Sequence, residues 1–224
     1  RKGYYMSVAP LVAEGKVVVG ASGGELGVRG FLAAYDVNTG KELWRTFTVP
    51  APGEPGSETW PKGDQWQTGG GSIWVSGNYD PETHLMFWGT GNGGPWNQNI
   101  RSPQGGDNLF LASIIAVKPD TGRMVWYFQE NPGETWDFTA TQPIILADLI
   151  IDGQERKVLM HAPKNGYFYV LDRITGKFIS GKPFVKRMTW SMGLDKNGRP
   201  IEAPGARYTT NSIRIWPGAA GADN

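Results

Sequence analysis

Two stretches decide how this chain is read: Ala34-Tyr35-Asp36-Val37-Asn38-Thr39-Gly40-Lys41-Glu42-Leu43-Trp44 and Ala116-Val117-Lys118-Pro119-Asp120-Thr121-Gly122-Arg123-Met124-Val125-Trp126. Each holds a short apolar strand, a Thr-Gly-Lys/Arg corner and a second strand that carries Trp. The Asn/Asp-Thr-Gly corner predicts a hairpin connection in which Gly supplies the positive φ. A weaker copy runs Val170-Leu171-Asp172-Arg173-Ile174-Thr175-Gly176-Lys177, with Ser180 where the Trp would stand. Repetition of one supersecondary unit points to stacked modules that share a core. Trp44 and Trp126 then read as packing anchors between modules.

Working backwards from each corner gives four strands per unit. They fall at 5–12, 16–21, 31–36 and 42–48, then at 72–78, 84–89, 112–118 and 123–129. The third set is 141–150, 156–161, 167–172 and 177–180. Short antiparallel meanders of this kind predict an all-β fold, a β-propeller. Its blades cover approximately 5–49, 69–129 and 137–181, and 182–224 is a connection into the next blade. Gly/Pro/Asn-rich insertions at 50–71 and 93–111 are loops, where functional groups concentrate.

Composition agrees. The chain of 224 residues holds 32 Gly and 10 Trp, a turn-rich make-up with large aromatic anchors. Charged residues are 19% and the net charge is +1, with no basic cluster, which argues against a nucleic-acid partner. Without Cys, neither a disulfide nor a thiolate metal site forms within this segment. No apolar run reaches the length of a membrane span, and no signal peptide is present. The opening on Arg1-Lys2-Gly3 and the ending on a Gly/Ala loop read as an internal piece of a longer protein.

In each blade the start of the first strand and the end of the second lie at one end of the wheel, nearest its axis. That end collects Ser7, Ser22, Gly23, Gly24 and Glu25 from the first unit. The second contributes Ser72 and Trp74 after a glycine run, together with Asn92. The third contributes Asp137 and Lys164. Hydroxyls, bare backbone, a flat aromatic, hard oxygen donors for a cation and a lysine suit a flat polyanionic cofactor held with a divalent ion. Taken singly, each has a plainer reading: Glu25 a solvated turn acid, Trp74 core, Asp137 a turn cap, Lys164 a solvated turn residue. His84 and His161 lie too far apart for a metal pattern and read as satisfied strand or rim residues.

These residues resemble the pyrroloquinoline quinone (PQQ)-dependent alcohol dehydrogenases, eight-bladed propellers with Trp-docking repeats. The marks are Ser22-Gly23-Gly24-Glu25-Leu26-Gly27-Val28-Arg29-Gly30, Gly89-Thr90-Gly91-Asn92, Trp136-Asp137-Phe138 and Ala162-Pro163-Lys164-Asn165-Gly166. The resemblance covers nearly the whole chain and is strongest to the quinoprotein and quinohemoprotein enzymes that accept ordinary primary alcohols. It implies that Ser7, Ser22, Gly23, Gly24 and Ser72 contact PQQ and that Trp74 stacks under its ring. It further implies that Glu25 and Asn92 bind calcium, with Asp137 at the same metal as catalytic base, and that Lys164 bonds the quinone oxygens. Asn224 matches a further cofactor contact. Thr139 stands where lanthanide-using relatives carry Asp, which favours calcium. Also implied are a periplasmic location and an electron acceptor that is a cytochrome c, a fused heme c domain or membrane quinone. Two alternatives stay open, a sugar- or polyol-oxidising quinoprotein and a non-catalytic Trp-docking scaffold.

Overall fold

The computed structural model describes residues 3–221. Three four-stranded antiparallel sheets follow one another along the chain. The first is β1 (Leu11–Ala13), β2 (Lys16–Gly20), β3 (Phe31–Asp36) and β4 (Glu42–Phe47), paired in that order. The second is β5 (Asn78–Asp80), β6 (Leu85–Gly89), β7 (Ser113–Val117) and β8 (Met124–Gln129). The third is β9 (Ile145–Ile151), β10 (Gln154–His161), β11 (Tyr167–Asp172) and β12 (Phe178–Pro183). Each sheet is an up-and-down meander, the blade expected from the repeats. Among the described residues no helix is long and apolar enough to cross a membrane.

The period-2 alternation of a strand sorts side chains to two faces, and the middle blade uses both. Met86, Trp88, Ile115 and Val117 pack with Val18, Leu32 and Ala34 of the first blade. Their neighbours Leu85, Phe87, Ile114 and Ala116 pack with Leu159 and Leu171 of the third. That is why every residue of β6 and β7 is buried.

The Thr-Gly corners dock in a directional chain. Trp44 donates its indole N–H to Pro119 O at 2.7 Å, and Thr46 donates to Gly122 O at 2.7 Å. A Cβ on Gly122 would stand 2.4 Å from the Trp44 ring, so only glycine admits the indole. Trp126 lies over Gly176 of the third blade in the same way, 2.5 Å from where a Cβ would sit.

Two expectations are corrected. The first strands were expected over 5–12, 72–78 and 141–150 but form ladders only at Leu11–Ala13, Asn78–Asp80 and Ile145–Ile151. At their inner ends the chain leaves the ladder, keeping isolated bridges from Tyr5 to Ser22 and from Gly70 to Gly93, because Pro10 lacks a donor and the Gly69-Gly70-Gly71 run bends. The segment after residue 181 is also more than a connection. β13 (Ser191–Leu194) and β14 (Pro200–Glu202) form a hairpin, and Trp190 buries itself against Trp136, Phe138 and Tyr167 on the far side of the third blade.

Candidate active site

The inner ends of the blades are stitched by backbone. Ile73 N–H donates to Ala21 O at 2.8 Å, from the second blade to the first, and Ala140 N–H donates to Thr90 O at 3.0 Å, from the third to the second. The polar residues beside these bonds therefore face one hollow. A cavity of about 310 Å³ is lined by Ser7, Ser22, Gly23, Glu25, Ser72, Trp74, Asn92, Asp137 and Lys164, joined by Tyr5 and Thr139. Gly24 is the one described member of the expected set outside this lining, yet it sits at the wall: a Cβ there would stand 2.9 Å from Ser72 Oγ. Asn224 lies outside the described residues.

Glycine at 23 is a requirement of the turn. Its φ is 101°, and a Cβ would meet Gly3 O at 2.2 Å. The turn it makes swings Glu25 into the hollow on a single 3-10 turn, Gly24–Leu26. Next to it the Ser7 and Ser22 hydroxyls share a hydrogen bond of 2.9 Å. The Asn92 amide donates to Glu25 Oε1 at 3.0 Å, and the Trp96 indole N–H reaches the same oxygen at 3.5 Å. Turning the Asn92 amide over exchanges that donor for a carbonyl acceptor.

Asp137 sits at φ 63°, an uncommon conformation for a residue with a side chain, which aims its carboxylate away from the buried Trp136 and Phe138. Lys164 donates to Asp137 Oδ2 at 2.8 Å and to Asp137 O at 2.7 Å. Burial raises the pKa of Asp137. The Lys164 ammonium works against that rise, and the nearby Glu25 carboxylate adds to it. Lys164 is itself fixed through its neighbour: buried Asn165 accepts from Tyr167 N–H at 2.9 Å and from the Trp190 indole through its carbonyl at 2.8 Å.

Glu25, Asn92 and Asp137 together offer carboxylate and amide oxygens, the hard donor set a calcium ion takes. Among the described residues no three His, Cys, Asp or Glu cluster as a metal site, so a cation here depends on the Asn92 oxygen. For a flat tricarboxylate the hollow supplies serine hydroxyls, glycine backbone, the Lys164 ammonium and the half-exposed face of Trp74. Both groups fit the residues present.

The histidines are accounted for elsewhere. His84 meets Glu14 at 2.9 Å on the surface, and His161 is buried between Glu130, at 2.7 Å, and Gln142 O, at 3.0 Å. Reasoning from sequence missed Tyr5 as part of the wall and missed Arg101 and Glu134 behind it. Neither buried charge carries a local signal, since Glu134 follows Asn131-Pro132-Gly133 and reads as an exposed turn.

Comparison with known proteins gives a consistent result. Residues 1–185 match the family model described as PQQ glucose/ethanol/alcohol dehydrogenase, beta-propeller domain. Quinohemoprotein alcohol dehydrogenase ADH IIB of Pseudomonas putida is 54% identical over 100% of this chain and 34% of its own length. The dehydrogenase subunit of the alcohol dehydrogenase (quinone) of Gluconobacter oxydans is 46% identical over 100% of this chain and 32% of its own. The crystal structure of the quinohemoprotein alcohol dehydrogenase from Comamonas testosteroni superposes with a TM-score of 0.93 at 50% identity, covering 99% of this chain and 34% of that one. The chain thus spans about a third of the length of these relatives.

Proposed function

The chain belongs to the PQQ glucose/ethanol/alcohol dehydrogenase β-propeller family, and on that premise we propose that the protein it is part of oxidises primary alcohols to aldehydes with PQQ and calcium. The observation that carries this reading is the single hollow into which three successive blades deliver Glu25, Asn92 and Asp137.

When bound, PQQ supplies the hydride acceptor and calcium the Lewis acidity that makes it electrophilic. The residues of this chain do the rest. Ser7, Ser22 and the backbone at Gly23 and Gly24 would hold the cofactor carboxylates, and Ser72 would hydrogen-bond the cofactor. Trp74, whose ring lines the hollow, would stack against the cofactor. Glu25, Asn92 and Asp137 would hold the cation. Asp137 takes the hydroxyl proton of the alcohol at its carboxylate, a role that contributes about 10²–10⁴ in rate. Lys164, already within hydrogen-bond reach of that carboxylate, favours its ionised form against the effect of burial and offers its ammonium where negative charge develops. Thr139 lines the hollow with a hydroxyl and no third carboxylate, which suits a divalent ion. A cytochrome c, a heme c domain or membrane quinone would receive the electrons, and the location we propose is the periplasm.

The test is Asp137→Asn in the full-length holoenzyme. Turnover of ethanol is expected to disappear while the absorption of bound PQQ persists. Alcohol oxidation at the wild-type rate would falsify the assignment.

A further inference from the structure

Glu134 is fully buried and touches neither the hollow nor solvent. Its two carboxylate oxygens go to two different loops. One accepts from Phe138 N–H at 2.9 Å and the other from Gly93 N–H at 3.4 Å. Phe138 directly follows Asp137, and Gly93 directly follows Asn92. The same carboxylate thus holds the amide next to each of two residues that face the hollow from different blades.

Arg101, also fully buried, braces this tether from behind. Its guanidinium donates to the backbone carbonyl of Glu134, to Pro95 O at 2.5 Å and to Trp96 O at 3.0 Å. Asn108 Oδ1 accepts from its Nε and Nη2 at 3.3 Å each. Gly93 has no room for a side chain, because a Cβ would lie 2.3 Å from the guanidinium carbon. The Asn92 loop is therefore pinned between the arginine and the carboxylate. A buried carboxylate is costly unless its oxygens are bonded, and these are spent on loop amides.

We propose that Glu134 is a positioning residue that sets the spacing between the Asn92 and Asp137 arms of the cation site by accepting one backbone amide from each. This inference rests on the reading that Asn92 and Asp137 share a calcium ion. An amide side chain cannot replace the carboxylate, since glutamine accepts through one oxygen and would turn an NH₂ against the second N–H. Aspartate keeps both acceptors but is one methylene too short to reach both loops.

The experiment uses the full-length enzyme with PQQ, as wild type, Glu134→Gln and Glu134→Asp. Calcium affinity is measured by calorimetric titration, and kcat and KM for ethanol are measured at saturating calcium. Loss of an outer support of this kind typically weakens metal affinity or activity by about 10–100-fold. Both variants are expected to lose calcium affinity within that range and to lower kcat, with KM within about twofold. If Glu134→Gln does not fold, Glu134→Asp alone carries the same expectation. Wild-type calcium affinity and kcat in every variant that folds, even with a lowered Tm, overturns the role of Glu134. A wild-type enzyme that neither binds nor needs calcium overturns the underlying reading instead.

Discussion

At the scale of single residues the ion pair between Lys164 and Asp137 is the most informative contact. Burial pushes the Asp137 carboxyl above the ordinary aspartate value of 3.8, and Lys164 pulls it part of the way back. In the cation-free protein the Asp137 carboxyl is therefore expected to titrate above that ordinary value, as followed by carboxyl-carbon NMR of the full-length protein without calcium. Lys164→Ala removes the opposing ammonium, so the same titration should move further up. A titration that stays put without Lys164 would separate the lysine from the protonation of Asp137. Asp137 was legible as a candidate because it follows Trp136 in a short motif. Glu134 was not, because burial of a lone acid is decided by three loops that meet only in the folded chain.

At the scale of strands and corners, stability is concentrated where an indole lies on a glycine. Trp126 is nearly buried over Gly176, whereas Trp44 on Gly122 is only partly so. Trp126→Ala is expected to cost about 3–5 kcal/mol, and Trp44→Ala less, read from denaturant midpoints of the full-length protein. Equal and negligible losses would show that the corners do not hold the blades together. These corners, and the two strands that flank each of them, were largely readable from sequence: 31–36 was expected and Phe31–Asp36 is observed, whereas 177–180 was expected and the strand runs Phe178–Pro183. Alternation and a turn signal are local properties, so a single sequence displays them. The first strand of each blade was misjudged for the opposite reason. Its inner end gives up ladder pairing to serve the hollow, and nothing local in Ser7 or Ser72 marks that exchange.

At the scale of the molecule, the proposed cation joins three blades through Glu25, Asn92 and Asp137. A ligand that binds only the assembled state stabilises it by mass action, about 2.7 kcal/mol at a hundredfold excess over Kd. The Tm of the full-length protein should therefore rise with calcium and fall on chelation. A Tm indifferent to calcium would mean that the three arms do not share one ion. The outline of the wheel was legible because its repeats are, whereas the hairpin after residue 181 was not. Trp190 finds its place only against Trp136, Phe138 and Tyr167, residues far from it in sequence.

The bonds from Ile73 to Ala21 and from Ala140 to Thr90 have one more effect. They are made by main-chain atoms, so the pitch from one blade to the next at the axle is the same whatever side chains the neighbouring positions carry. Substitutions in the lining of the chamber can then reshape its walls without altering the gauge at which the proposed cation and cofactor would be gripped.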